Sequence, residues 1–192
     1  MSSKKVLFLV EVAIFTALAL ALDLIPFLSF KIWGQGGSIS FAMIPVFIIA
    51  FRWGLKGGLL SGFLFGILQI PFGAWILTPL QGFIEYGLAF TVIGFAGVFA
   101  KQIQQAVKDG RAGKYFTYIL LGVLLGTTLR FIGHFIAGVV FFERFMPENF
   151  TNIWFYSFVY NFSYLFPCFI ICSVAVFFLF YKQPRTLLNT AS

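Results

Sequence analysis

The chain has 192 residues, 60% of them hydrophobic and only 10% charged, against roughly 25% charged in ordinary soluble domains. With a mean hydropathy of +0.98 it carries more apolar surface than a soluble core of this length can hide. The composition therefore excludes a soluble globular protein and describes one compact integral membrane domain. The net charge of +7 does not point to nucleic acid, because the basic residues cluster in short loops between apolar runs, which is a signal of topology.

Six apolar segments follow along residues 1–192, at about 6–25, 38–51, 55–72, 79–99, 115–142 and 153–181. They predict an all-α bundle of six transmembrane helices. The start, "MSSKKVLFLV", has the basic and then apolar character of a secretory leader, and Ala17–Ala21 imitates a cleavage site. Glu11 interrupts that apolar run, and Ala13, Ala17 and Ala21 recur every fourth residue. Small residues at this spacing make a flat stripe for close helix packing, so the segment is read as a retained first helix. The outer loop at about 26–40 places Trp33 beside Gly34, Gly36 and Gly37, which suits a lid over a pocket as well as an ordinary turn with an interfacial anchor.

The second segment is shorter than the ~20 residues a span requires and contains Pro45, so it is expected to be tilted, kinked or partly sunk in the bundle. The third carries Gly58, Gly62 and Gly66, a second small-residue stripe along which another helix can approach the backbone. Lys4, Lys5, Arg52, Lys56, Lys101, Lys108, Arg111, Lys114, Lys182 and Arg185 put ten of the thirteen Lys and Arg on one side. That side is predicted to be the cytoplasm, with both termini in it.

Within this topology the polar residues can be placed by depth. Glu85 lies six residues in from Pro79, roughly 9 Å below the outer end of its helix. His134 and Asn161 each lie eight residues from the outer ends of theirs, roughly 12 Å down. One acid, one imidazole and one amide thus share a layer in the outer half, with Tyr156 a little above Asn161 and Trp75 in the loop before the fourth helix. An intramembrane carboxylate is a functional-site candidate by default. Its bland alternative is a structural ion pair with Arg130 or His134. Asn161 alone could serve as interhelical glue, and Tyr156, Trp75 and Trp154 as an aromatic belt. Convergence at one depth favours an outward-facing cavity for a flat cationic or amine-bearing ligand. Aromatic faces stabilise such cations by about 2 kcal/mol when desolvated, and the carboxylate adds charge and hydrogen-bond acceptors.

No Walker A motif, no nucleophile elbow and no cluster of metal ligands is present in the sequence, which argues against an ATPase, a hydrolase or a metalloenzyme. Cys168 and Cys172, one turn apart, read as buried small hydrophobes. A proton-coupled exporter of aromatic cations is a rival reading, opposed by the lack of internal repeats and by the outer placement of every polar residue. A structural subunit without a ligand is another.

The stretches "EVAIFTALALALDLIP", "GGSISFAMIPVFIIAFRWGLKGGLLSGFLFGIL", "GAWILTPLQGFIEYGLAF", "GHFIAGVVFF" and "YSFVYN" resemble the thiamine-specific S component of energy-coupling factor (ECF) vitamin transporters over nearly the whole chain. The resemblance implies a six-helix protein of the prokaryotic cell membrane that captures thiamine from outside, without enzymatic activity or a cofactor of its own. It also implies a transmembrane coupling subunit and two ATPase subunits as partners, docked through Ala13, Ala17 and Ala21. The ligand site it implies comprises Trp33, Trp75, Glu85, Tyr86, His134, Gly138, Phe142, Tyr156 and Asn161. The sequence departs from the family at Phe142, where relatives can have Trp; Phe keeps a stacking face but loses area and the indole N–H. An S component for another vitamin is the nearest alternative, since a fold outlives changes of ligand.

Overall fold

Helices dominate the computed structural model, which describes residues 3–33, 36–184 and 187; Gly34 and Arg185, both used above, lie outside them. Five helices are long and apolar enough to cross a membrane among the described residues. They are α1 (Ser3–Leu24), α2 (Met43–Gln69), α3 (Pro79–Lys108), α4 (Ala112–Phe141) and α5 (Ile153–Lys182).

Between α1 and α2 the segment expected as an irregular loop is instead an antiparallel hairpin, β1 (Ser29–Trp33) and β2 (Gly36–Ser40). At the start of β2, Gly36 and Gly37 adopt φ of 133° and 68°, where a side chain is disfavoured. Helix α2 accordingly begins at Met43, not near residue 38.

The expected second and third segments run continuously into α2 except at Gly54, whose φ of 73° and ψ of −162° break the helix. The chain folds back there: a Cβ on Gly57 would meet Trp53 and Ile49, and one on Gly58 would meet Ala50. Breaking the helix frees the carbonyls of Phe51 and Arg52, and both accept from the Gln104 amide, at 2.8 and 3.0 Å. The short leg with Pro45 is sunk in the protein, with all of 43–51 buried, as a stretch apolar on every side must be.

Helix α1 stands at the edge and buries only Val12, Thr16 and Ala19. Two polar contacts fix it to α2. Glu11 accepts from Nε and Nη2 of Arg52, at 2.5 and 2.7 Å, and from the Trp53 indole N–H at 2.6 Å. Deeper along α1, the Thr16 and Ser61 hydroxyls are 3.0 Å apart. Glu11, which interrupts an apolar run in the sequence, is therefore neutralised where the bundle would otherwise bury it alone.

The glycine stripe of α2 faces α3. A Cβ on Gly62 would strike the Phe90 carbonyl, one on Gly66 the Tyr86 carbonyl, and one on Gly94 the backbone of Gly58 and Leu59. Two backbones in contact leave no room for a methyl group. We expect Gly94→Ala to lower stability by about 1–3 kcal/mol, read by thermal unfolding in detergent against Gly113→Ala, whose Cβ would meet nothing within 4 Å. Equal melting of the two variants would contradict this packing.

Candidate functional site

Helix α3 carries the centre of the site on an unusual backbone. Thr78 caps its start by accepting from the Gln81 N–H at 3.1 Å, with Pro79 in the first turn, the pairing that favours helix initiation. From Phe83 to Leu88 the helix widens to a π form, and from Val92 to Phe99 it tightens to 3-10. Neighbours on an α-helix diverge by about 100°, yet Glu85 and Tyr86 both line one cavity. The wide turns are where they do so, in line with the tendency of π segments to sit at functional sites.

The cavity encloses about 320 Å³. Its polar centre is a chain of three side chains from two helices. Glu85 Oε1 lies 3.6 Å from His134 Nδ1, and Arg130 Nε donates to His134 Nε2 at 3.2 Å. That donation makes Nε2 the acceptor, so a neutral ring carries its proton on Nδ1, facing Glu85. The Arg130 guanidinium also lies 4.2 Å over the Phe90 ring, which offsets part of the cost of a cation at this depth.

Of the residues singled out from sequence, Trp75, Glu85, Tyr86, His134, Gly138, Phe142, Tyr156 and Asn161 all line the cavity. Trp75 is held by its backbone N–H, which donates to the Tyr86 hydroxyl at 3.1 Å, and packs edge-on against Phe142 and Phe145. Gly138 lets α4 and α5 touch: its Cβ would collide with the Ser157 hydroxyl. Asn161 donates to the Ser157 carbonyl and accepts from the Tyr164 hydroxyl, at 2.9 and 2.8 Å, so its amide orientation is fixed.

Trp33 is placed differently. It is not among the lining residues. Its ring rests on Tyr156 and Tyr160 with centroids 6.2 and 5.3 Å away, and its N–H donates to Ser163 at 2.9 Å. The hairpin instead contributes Lys31, Gly36 and Gly37 to the wall. Ala13, Ala17 and Ala21 are exposed on α1, away from the bundle.

Sequence reasoning missed Gln81, Tyr160 and Tyr164. Gln81 and Tyr160 stand four residues from Glu85 and Tyr156, and Tyr164 stands three from Asn161, so the same-face rule for helices points to them. Cys168 and Cys172 are buried, and Cys168 Sγ sits 3.3 Å from the Ser40 N–H, under the hairpin.

An acid, an imidazole and an aromatic wall inside an apolar helix bundle define a membrane protein with a polar, aromatic-walled internal cavity. The sequence model of the family described as "Thiamine transporter protein" matches residues 9–188, and the chain belongs to that family. It is 42% identical to the thiamine transporter ThiT of Bacillus subtilis over 188 residues, covering 96% of each chain. It is 36% identical to ThiT of Lacticaseibacillus paracasei over 163 residues, covering 82% of this chain and 79% of the relative. The solved structure of ThiT from Listeria monocytogenes superposes with a TM-score of 0.90 at 31% identity, over 97% of this chain and 100% of that one.

Tyr86→Phe removes the acceptor for the Trp75 N–H while keeping the ring. We expect a stability loss of about 1 kcal/mol and greater acrylamide quenching of Trp75, measured with Trp33, Trp53 and Trp154 replaced by Phe. Unchanged unfolding and quenching would show that Tyr86 does not hold this loop.

Proposed function

We propose that this protein is the thiamine-capturing S component of an ATP-driven ECF importer in the prokaryotic cell membrane. The single observation that carries the reading is the Glu85 carboxylate, set in an aromatic-walled cavity of a chain that belongs to the thiamine transporter family. Thiamine joins an aminopyrimidine to a permanent thiazolium cation. Glu85 would balance that charge and accept from the exocyclic amine. Asn161 and Tyr156 would meet the pyrimidine edge, and His134, Trp75, Tyr86 and Phe142 would bound its faces. Gly138 would keep the wall thin where the ligand passes, and Trp33 with the hairpin would control access.

The reading includes six membrane crossings, with the two legs of α2 counted separately and both termini cytoplasmic. The Arg52–Glu11 pair supports it, because it sets the end of the first leg beside the first half of α1 before the chain reverses at Gly54. The same turn carries Lys56, on the basic side of the positive-inside pattern. The reading also includes a transmembrane coupling subunit and two ATPases as partners. Ala13, Ala17 and Ala21, exposed along one face of a helix that buries little of itself, give that coupling subunit a surface for close helix packing.

The test is a titration of the purified protein with thiamine, followed by tryptophan fluorescence. Saturable quenching is expected, and Glu85→Gln should weaken binding on the order of tenfold to a hundredfold, the usual range for losing a charged hydrogen-bond partner. No response from well-folded protein would overturn the assignment.

A further inference from the structure

One fully buried polar side chain beside the cavity does not line it. Gln81 has 0% of its surface exposed, and a buried amide is costly unless its hydrogen bonds are made. Here they are made, and to a particular set of groups. Its Nε2 donates to Glu85 Oε2 and, at 3.1 Å, to the Trp75 carbonyl; its Oε1 accepts from the Leu77 N–H at 2.9 Å. One amide therefore joins the acid on α3 to both sides of the loop that presents the Trp75 ring.

This arrangement has a geometric consequence for Glu85. A carboxylate rotates freely about its last torsion unless something holds it. With Oε2 occupied by Gln81, Oε1 is the oxygen on the His134 side. The bond thus selects which lone pairs are open to a ligand. Because the same nitrogen binds the Trp75 carbonyl, the acid and the tryptophan loop are fixed relative to each other before any ligand arrives, which is the form of preorganisation that reduces the entropy lost on binding.

We propose that Gln81 is a positioning residue for ligand capture: it orients the Glu85 carboxylate toward the ligand's exocyclic amine and locks it to the Trp75 loop. The inference rests on the thiamine reading above. It also makes a distinction that a purely structural role does not. An amide that only supports the fold affects every ligand alike. An amide that aims Glu85 affects only ligands with an amine for Glu85 to meet.

The experiment measures the affinity of thiamine and of oxythiamine, in which a ring carbonyl replaces that amine, for wild type, Gln81→Met and Gln81→Asn. Met fills nearly the same volume without hydrogen-bonding groups. Asn keeps a neutral amide but is one methylene too short to bridge the loop and Glu85. The helix start does not depend on this side chain, since Thr78 is bonded by the Gln81 backbone N–H. Both variants should bind thiamine on the order of tenfold to a hundredfold more weakly, with oxythiamine affinity unchanged. Should Gln81→Met not fold, Gln81→Asn decides alone. Equal losses for the two ligands would overturn the proposal, as would wild-type thiamine affinity in a folded variant. Failure of the wild type to bind thiamine would instead sink the thiamine reading itself, before either variant is considered.

Discussion

A carboxylate inside an apolar bundle must be held by other polar groups, and much of this protein is arranged around that requirement. Glu85 is shared between Gln81 on its own helix and His134 on α4, and His134 is bonded in turn by Arg130. Each member would be costly to bury alone. Together they form a continuous polar thread through the space between two helices. The widening of α3 from Phe83 to Leu88 places Glu85 and Tyr86 on the same cavity, so the backbone itself is shaped by the site. A widened helix of this kind is held in place by the contacts around it.

Those contacts come from the glycines. Backbone-to-backbone approach of α2 and α3 at Gly58, Gly62, Gly66 and Gly94 brings the helices closer than side chains allow. Without a hydrophobic driving force between helices in lipid, such van der Waals contact is a main source of association. Gly138 allows a similar close approach between α4 and α5, where Ser157 would otherwise be displaced. Polar contacts then secure the periphery, as at Glu11, Arg52 and Trp53.

The apolar spans, the buried short leg with Pro45 and the layer of Glu85, His134 and Asn161 were legible in the sequence because each depends on a strong local signal. Long apolar runs reveal spans, and a polar residue counted against the helix rise reveals depth. The hairpin at β1 and β2 was not legible: "SFKIW" and "GGSIS" are five residues each, too short and too glycine-rich for their alternation to stand out. The placement of Trp33 against Tyr156 and Tyr160, and not on the cavity wall, follows from that hairpin and could not be counted from a loop. The role of Gln81 was hidden for a different reason. A glutamine near a helix start is ordinarily unremarkable, and only its burial beside Glu85 and the Trp75 loop distinguishes it.

The account's central claim is that Glu85 meets the ligand inside this cavity, and the most direct test is an experimental structure of the protein with thiamine bound. The account predicts the exocyclic amine within hydrogen-bond distance of Glu85 Oε1, with the ligand bounded by Trp75, Tyr86 and His134. Thiamine bound elsewhere, or seated in the cavity with Glu85 turned away from it and paired only to Arg130 and His134, would contradict it.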